Sequence, residues 1–141
     1  MSPAGRVARV LMVEDDAFIA FDLQRCLLSG GYAVVGPFPS VDAGMRAIER
    51  EQVDVAVLDV NLAGTLVYPL ADMLSDRGVP FLFVTGYAAS DLPPRFRDRP
   101  ICRKPCLPEQ MLAMVTALRA TLPDLADVGD SAECAPGRPG R

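Results

Sequence analysis

Short apolar runs alternate with amphipathic stretches along most of this chain. VARVLMV (7–13) is apolar and rich in β-branched residues, the composition of a buried strand, and it runs straight into Glu14, Asp15 and Asp16. AFIAFDLQRCLL (17–28) follows, with Phe18, Phe21 or Asp22, Leu23 and Leu27 spaced for a helix face, Asp16 placed to cap it and Gly30–Gly31 to stop it. YAVVGPF (32–38) reads as a second strand ending in a Gly-Pro turn. Ser40 then opens a helix with Val41, Met45 and Ile48 on one face. VDVAVLD (53–59) is almost wholly apolar, which suits a strand covered on both sides.

The second half repeats the alternation. After a Gly-containing loop, LVYPLADMLSDRG (66–78) predicts a helix starting near Val67 or Tyr68, because Pro69 is tolerated in a first turn and costly deeper in. VPFLFVTG (79–86) is the fourth strand, RPICRKP (99–105) holds a short fifth, and LPEQMLAMVTALRATL (107–122) is the last helix. Between strands four and five, YAASDLPPRFRDR (87–99) carries Pro93–Pro94 and little helical period, so a turn or two of helix is the most expected there. The ends lack apolar pattern: residues 1–6 read as a flexible start, 7–122 as one domain, and 123–141 as a disordered tail. Strands alternating with helices predict an α/β fold with a parallel sheet between two helical layers. In such sheets ligands collect beyond the carboxyl ends of the strands.

Composition narrows the chemistry. The chain has no histidine, which removes Ser–His–Asp and Cys–His pairs, histidine metal sites and phosphohistidine on this chain. A net charge of −4 with no basic block argues against nucleic acid. No apolar run approaches a membrane span and the N-terminus lacks a signal peptide's apolar stretch, so a soluble cytoplasmic protein with no membrane partner is expected. Of the four cysteines, Cys102 and Cys106 lie four apart, but a zinc site needs two more nearby ligands; free thiols in a reducing compartment are the preferred reading over a metal-thiolate site.

Chemistry therefore concentrates at the strand ends. Strand one ends at Glu14 and Asp15, strand three at Asp59, strand four at Thr85 and strand five at Lys104. Taken singly, each has a plain structural role: acids suit a helix N-terminus, Thr before Gly is ordinary at a turn, and a lysine is usually solvated. Taken together, three converging carboxylates repel one another, and a divalent cation with a taste for oxygen relieves the conflict; the all-oxygen ligands favour Mg²⁺, Mn²⁺ or Ca²⁺, and Mg²⁺ (or Mn²⁺) is the cofactor expected. A carboxylate beside a metal, a lysine and a hydroxyl is suited to forming an aspartyl-phosphate on Asp59.

Over about residues 7–122 the chain resembles the response-regulator receiver domains of two-component signalling. VLMVEDD is similar to the family's acidic pair, LDVNL to its phosphoacceptor segment, FVTG to its hydroxyl and RKP to its lysine-proline. The resemblance implies a flavodoxin-like (CheY-like) doubly wound five-stranded parallel sheet of order 2-1-3-4-5. It also implies Asp59 as phosphoacceptor, Glu14 and Asp15 with Asp59 as metal-binding acids, Asn61 lending its backbone carbonyl to the metal, and Thr85 and Lys104 contacting the phosphoryl group. A cis Lys104–Pro105 bond is implied too. PFLFVTGY (80–87) with DVNLAGTLVYPLADML (59–74) resembles a largely alphaproteobacterial, often single-domain subgroup named for a Phe-Ala-Thr-Gly motif, with Val84 in place of the Ala. That implies a stand-alone regulator that accepts phosphate from a sensor histidine kinase of the HWE or related class. Such a protein catalyses only its own phosphorylation and dephosphorylation and signals through contacts with a downstream protein. Two departures stand out: the Thr85-to-Lys104 stretch is short, with its helix broken by proline, and Ile101 replaces the switch aromatic. A receiver-fold adaptor that is never phosphorylated is the alternative. A haloacid-dehalogenase-like phosphatase is disfavoured because Asn61 stands where that family needs a second Asp.

Overall fold

The computed structural model describes residues 6–122; the expected tail at 123–141, with Cys134, lies outside them. Five strands, β1 (Arg9–Val13), β2 (Ala33–Phe38), β3 (Val55–Asp59), β6 (Phe81–Thr85) and β7 (Ile101–Arg103), form one sheet in the order β2-β1-β3-β6-β7. Every pairing in it is parallel. Counting only these five, the order is the expected 2-1-3-4-5. Between β3 and the third helix, β4 (Asn61–Leu62) and β5 (Thr65–Leu66) make a small antiparallel hairpin where the sequence suggests only a loop. Asn61 closes its turn, with Oδ1 accepting the Gly64 N–H at 2.7 Å.

Period-two alternation in the strands divides the core in two. Leu11, Val13, Ala56, Leu58, Phe81 and Phe83 face α2 (Val41–Arg50) and α3 (Tyr68–Asp76). Val10, Met12, Val55, Val57, Leu82 and Val84 face α1 (Ala17–Ser29) and α4 (Pro108–Arg119). Gly44 lets α2 and α3 approach closely, since a Cβ there would stand 3.1 Å from Val13 Cγ2 and still nearer to Leu70 Cδ1.

Local signals act largely as expected. Asp16 caps α1 by accepting from the N–H groups of Phe18 and Ile19, and Ser40 caps α2 through Ala43. Pro69 occupies the first turn of α3, where no N–H is missed. Two expectations need correction. The buried stripe of α1 is Ala20, Leu23 and Leu27, while Phe18 is 86% and Phe21 56% exposed. The small Ala20, not an aromatic, meets the sheet, and the Arg25 guanidinium covers the Phe21 ring at 5.6 Å. The second strand does not end in a turn at Gly36–Pro37. It bulges there and continues to Phe38. Gly36 has φ +109°, and a Cβ would lie 2.8 Å from the Met12 carbonyl oxygen, so the bulge needs glycine.

The fourth crossover has no α-helix. Two 3₁₀ turns, Ala89–Asp91 and Pro94–Phe96, take its place and drive Leu92 and Phe96 into the core. Phe96 packs edge-on against Phe81 and Phe83 and stacks on Tyr68, while Arg95 pairs with Asp72 on α3.

Candidate functional site at the carboxyl edge of the sheet

The strand registers themselves assemble the site. Val13 pairs with Leu58, so Glu14 and Asp59 each stand one residue further along. Asp59 pairs with Val84, which puts Thr85 one step beyond, and Thr85 pairs with Arg103, which does the same for Lys104. The strand-end groups Glu14, Asp59, Thr85 and Lys104 thus stand at one edge of the sheet, where a parallel arrangement leaves its ligand crevice.

Glu14 is anchored from three sides. Its N–H donates to the Phe38 carbonyl at 2.9 Å, the bond that the β2 bulge makes reachable. Its Oε2 accepts from the Asp16 N–H at 3.0 Å, and Oε1 lies 3.3 Å from Lys104 Nζ. That Oε1 is buried and makes no hydrogen bond of good geometry among the described residues. Burial pushes the Glu14 carboxyl up to about 7 and the Asp59 charge adds to it, against the Asp16 N–H and the Lys104 ammonium, which pull it down.

Lys104 Nζ also donates to Asp59 Oδ2 at 3.2 Å, so one ammonium is shared between two buried carboxylates. Burial disfavours its charge, but Glu14 and Asp59 outweigh burial and the lysine titrates above its ordinary range. Its backbone N–H donates to the Thr85 carbonyl at 2.9 Å, tying the two strand ends together. The Lys104–Pro105 bond is cis, as the family resemblance implies. Thr85 is buried, and its Oγ1 accepts from the Tyr87 N–H at 3.1 Å, which leaves the hydroxyl proton for another acceptor. The side chain of Asn61 is spent on the hairpin turn.

Glu14, Asp15 and Asp59 each offer a carboxylate oxygen, all within 4.8 Å of one another, with Asp15 exposed and the other two buried. Three acids against one lysine leave excess negative charge, and the Glu14 Oε1 without a good donor adds an acceptor that a hard cation satisfies. The donors present fit Mg²⁺ or Mn²⁺. One feature next to the site goes against the sequence reading. Cys102 and Cys106, expected as free thiols, are joined in a disulfide across the Lys104 turn; Cys26 is the free cysteine among the described residues. Spacing alone did not reveal this, because the turn at 103–105 brings the two Cα atoms to 5.7 Å.

With this geometry the chain matches the response regulator receiver domain over residues 10–116, and it belongs to that family. Among solved structures it is similar to SdrG from Sphingomonas melonis Fr1, with 34% identity, a TM-score of 0.70, and coverage of 79% of this chain and 96% of that one. Among curated proteins it is similar to the transcriptional regulatory protein PdtaR of Mycobacterium tuberculosis, 30% identical over 91 residues, 64% of this chain and 44% of PdtaR. Another is the response regulator protein FleR of Pseudomonas aeruginosa, 34% identical over 86 residues, 60% of this chain and 18% of FleR. The chain spans less than half the length of these two curated relatives. No helix among the described residues is long and apolar enough to cross a membrane.

Proposed function

We propose that Asp59 is a phosphoacceptor, taking a phosphoryl group from the phosphohistidine of a sensor histidine kinase and signalling the change through protein contacts. The observation that carries this reading is the Lys104 ammonium 3.2 Å from Asp59 Oδ2, with the Glu14 and Asp15 carboxylates beside it. A free oxygen of Asp59 attacks phosphorus, the P–N bond to the donor imidazole breaks, and the electron pair leaves with that nitrogen. Lys104 is positioned to meet the negative charge gathering on the phosphoryl oxygens, and the Thr85 hydroxyl to donate to one of them. Glu14, Asp15 and Asp59, with the Asn61 carbonyl, would hold Mg²⁺ or Mn²⁺. Bound there, the ion supplies further positive charge against the transferring group.

The wider likeness supports the same reading. A relative 35% identical, SdrG from Pseudomonas melonis Fr1, has been solved in a BeF3-activated conformation. Trifluoroberyllate has the charge and tetrahedral shape of a phosphoryl group on a carboxylate. The PFLFVTGY motif and the SdrG likeness favour the Phe-Ala-Thr-Gly subgroup, and with it a kinase of the HWE or related class. We take residues 7–122 as the receiver unit. The test is intact mass after incubation with Mg²⁺ and acetyl phosphate, beside Asp59→Asn. One added phosphoryl mass, lost without metal and in the variant, is the expected result. A chain that takes no phosphoryl group from acetyl phosphate or from any kinase, and ignores Mg²⁺, is instead a fixed adaptor.

A further inference from the structure

The disulfide between Cys102 and Cys106 closes a ring of five residues whose central member is Lys104. Cys102 is buried on β7 and paired with Val84 of β6, so one end of the ring is fixed to the sheet. Cys106 is only partly buried and leads into α4 through Leu107 and Pro108. A link spanning four positions removes little freedom from the unfolded chain, so it is a poor staple for the fold as a whole. What it does constrain is the turn that carries Lys104 to within 3.2 Å of Asp59 and 3.3 Å of Glu14. Without the sulfur link, the turn is held to the sheet by the Lys104 N–H bond to Thr85 and by the ion pairs themselves.

We infer that Cys102 and Cys106 form a reversible redox site whose state sets how firmly Lys104 is held against Asp59 and Glu14, and so how fast Asp59 accepts phosphate. The inference rests on the phosphoacceptor reading for its second half only. The oxidant is a peroxide. The more accessible Cys106, reacting as its thiolate with the proton passing to the leaving hydroxide, attacks a peroxide oxygen and gives a sulfenic acid and water. Cys102 sulfur then displaces the second water to form the S–S bond, so two thiols and hydrogen peroxide yield one disulfide and two waters. A dithiol reductant reverses the change by exchange, taking the two electrons back to the cysteines and becoming a disulfide itself. The oxidised form is the pre-organised one.

The test uses the full chain with Cys26→Ser and Cys134→Ser, prepared reduced with dithiothreitol or oxidised with hydrogen peroxide. Peptide mass mapping verifies the 102–106 link. Two readouts follow: amide hydrogen exchange over 101–107, and the acetyl phosphate labelling rate with Mg²⁺. Reduction is expected to speed exchange at the Lys104 amide and to slow labelling at least threefold. Cys106→Ser, and Cys106→Ala as a second variant, should keep the reduced-state behaviour whatever the oxidant. Equal exchange in the two states overturns the inference whether or not the chain is labelled. Equal labelling with altered exchange overturns the gating. A chain labelled in neither state by acetyl phosphate or by a sensor kinase, and indifferent to Mg²⁺, overturns the phosphoacceptor reading and the gating with it, while exchange still decides whether the redox state holds Lys104.

Discussion

Lys104 sits between two carboxylates that would otherwise repel, and its removal separates two roles that its position combines. Without metal, Lys104→Ala leaves Glu14 and Asp59 facing each other with no cation. The cluster should then bind Mg²⁺ more tightly, since a competitor for the same oxygens is gone. Acetyl phosphate labelling of Asp59 should nevertheless fall by about 100-fold, the usual scale for losing a preorganised charge at a transfer site. Isothermal titration and labelling kinetics on one preparation check both signs; weaker metal binding in the variant would contradict the shared-ammonium picture. Glu14 carries a second prediction. Its carboxyl is raised from 4.5 to about 7, mainly by burial, so the folded chain keeps a proton that the unfolded chain gives up. Stability contributed this way is complete below about pH 4.5 and is lost as pH rises through 7. Metal-free protein should therefore melt lower at pH 7.5 than at pH 5.5, and Glu14→Gln should flatten that slope. A variant with the parent's slope would mean that another group carries the effect. The placement of these residues was legible because Glu14 and Lys104 each follow a strand and Asp59 ends one, where a charge has no packing role. The cysteine pair was not, since nothing in a four-residue spacing reports the path of the chain between.

Elements were legible where period and punctuation agreed, and misread where bulk stood in for burial. The caps at Asp16 and Ser40 and the Pro69 start of α3 are local chemistry, and they appear where the sequence puts them. In α1 the large residues Phe18 and Phe21 suggested an inward face, yet the helix turns its smaller Ala20 to the sheet. Helix orientation is settled by how closely two layers can approach, which pattern alone does not encode. The Pro-broken 87–99 segment was expected to hold a turn or two, and it does. Its anchoring was less visible. Phe96 is 1% exposed and packs against three aromatic rings. Phe96→Ala should lower the unfolding free energy by about 3–5 kcal/mol in urea titrations, the usual range for a buried aromatic. A loss below about 1 kcal/mol would show that the segment closes over the gap, as a loosely held crossover could.

At the scale of the whole molecule, the five-stranded order follows from alternation and handedness, with few arrangements left once both faces of the strands are apolar. That order brings β1 and β3 side by side at the centre, and the pairing of Val13 with Leu58 places Glu14 beside Asp59. The fold therefore concentrates acids at the point where the sheet is most buried and least able to solvate them. Such a site carries a cost in the metal-free state that the proposed divalent cation should relieve, so metal binding and folding should be coupled. Mg²⁺ at about 100 times its dissociation constant should raise the unfolding free energy by about 2.7 kcal/mol. Because the proton on Glu14 and the cation compete for the same oxygens, the gain should be larger at pH 8 than at pH 6. The double variant Glu14→Gln, Asp15→Asn should lose the gain at both pH values while melting no lower than the parent in the absence of metal. Urea unfolding of parent and variant, with and without Mg²⁺ at the two pH values, reads all of this. A gain independent of pH would separate Glu14 from the metal and leave Asp15 and Asp59 as the acids that hold it.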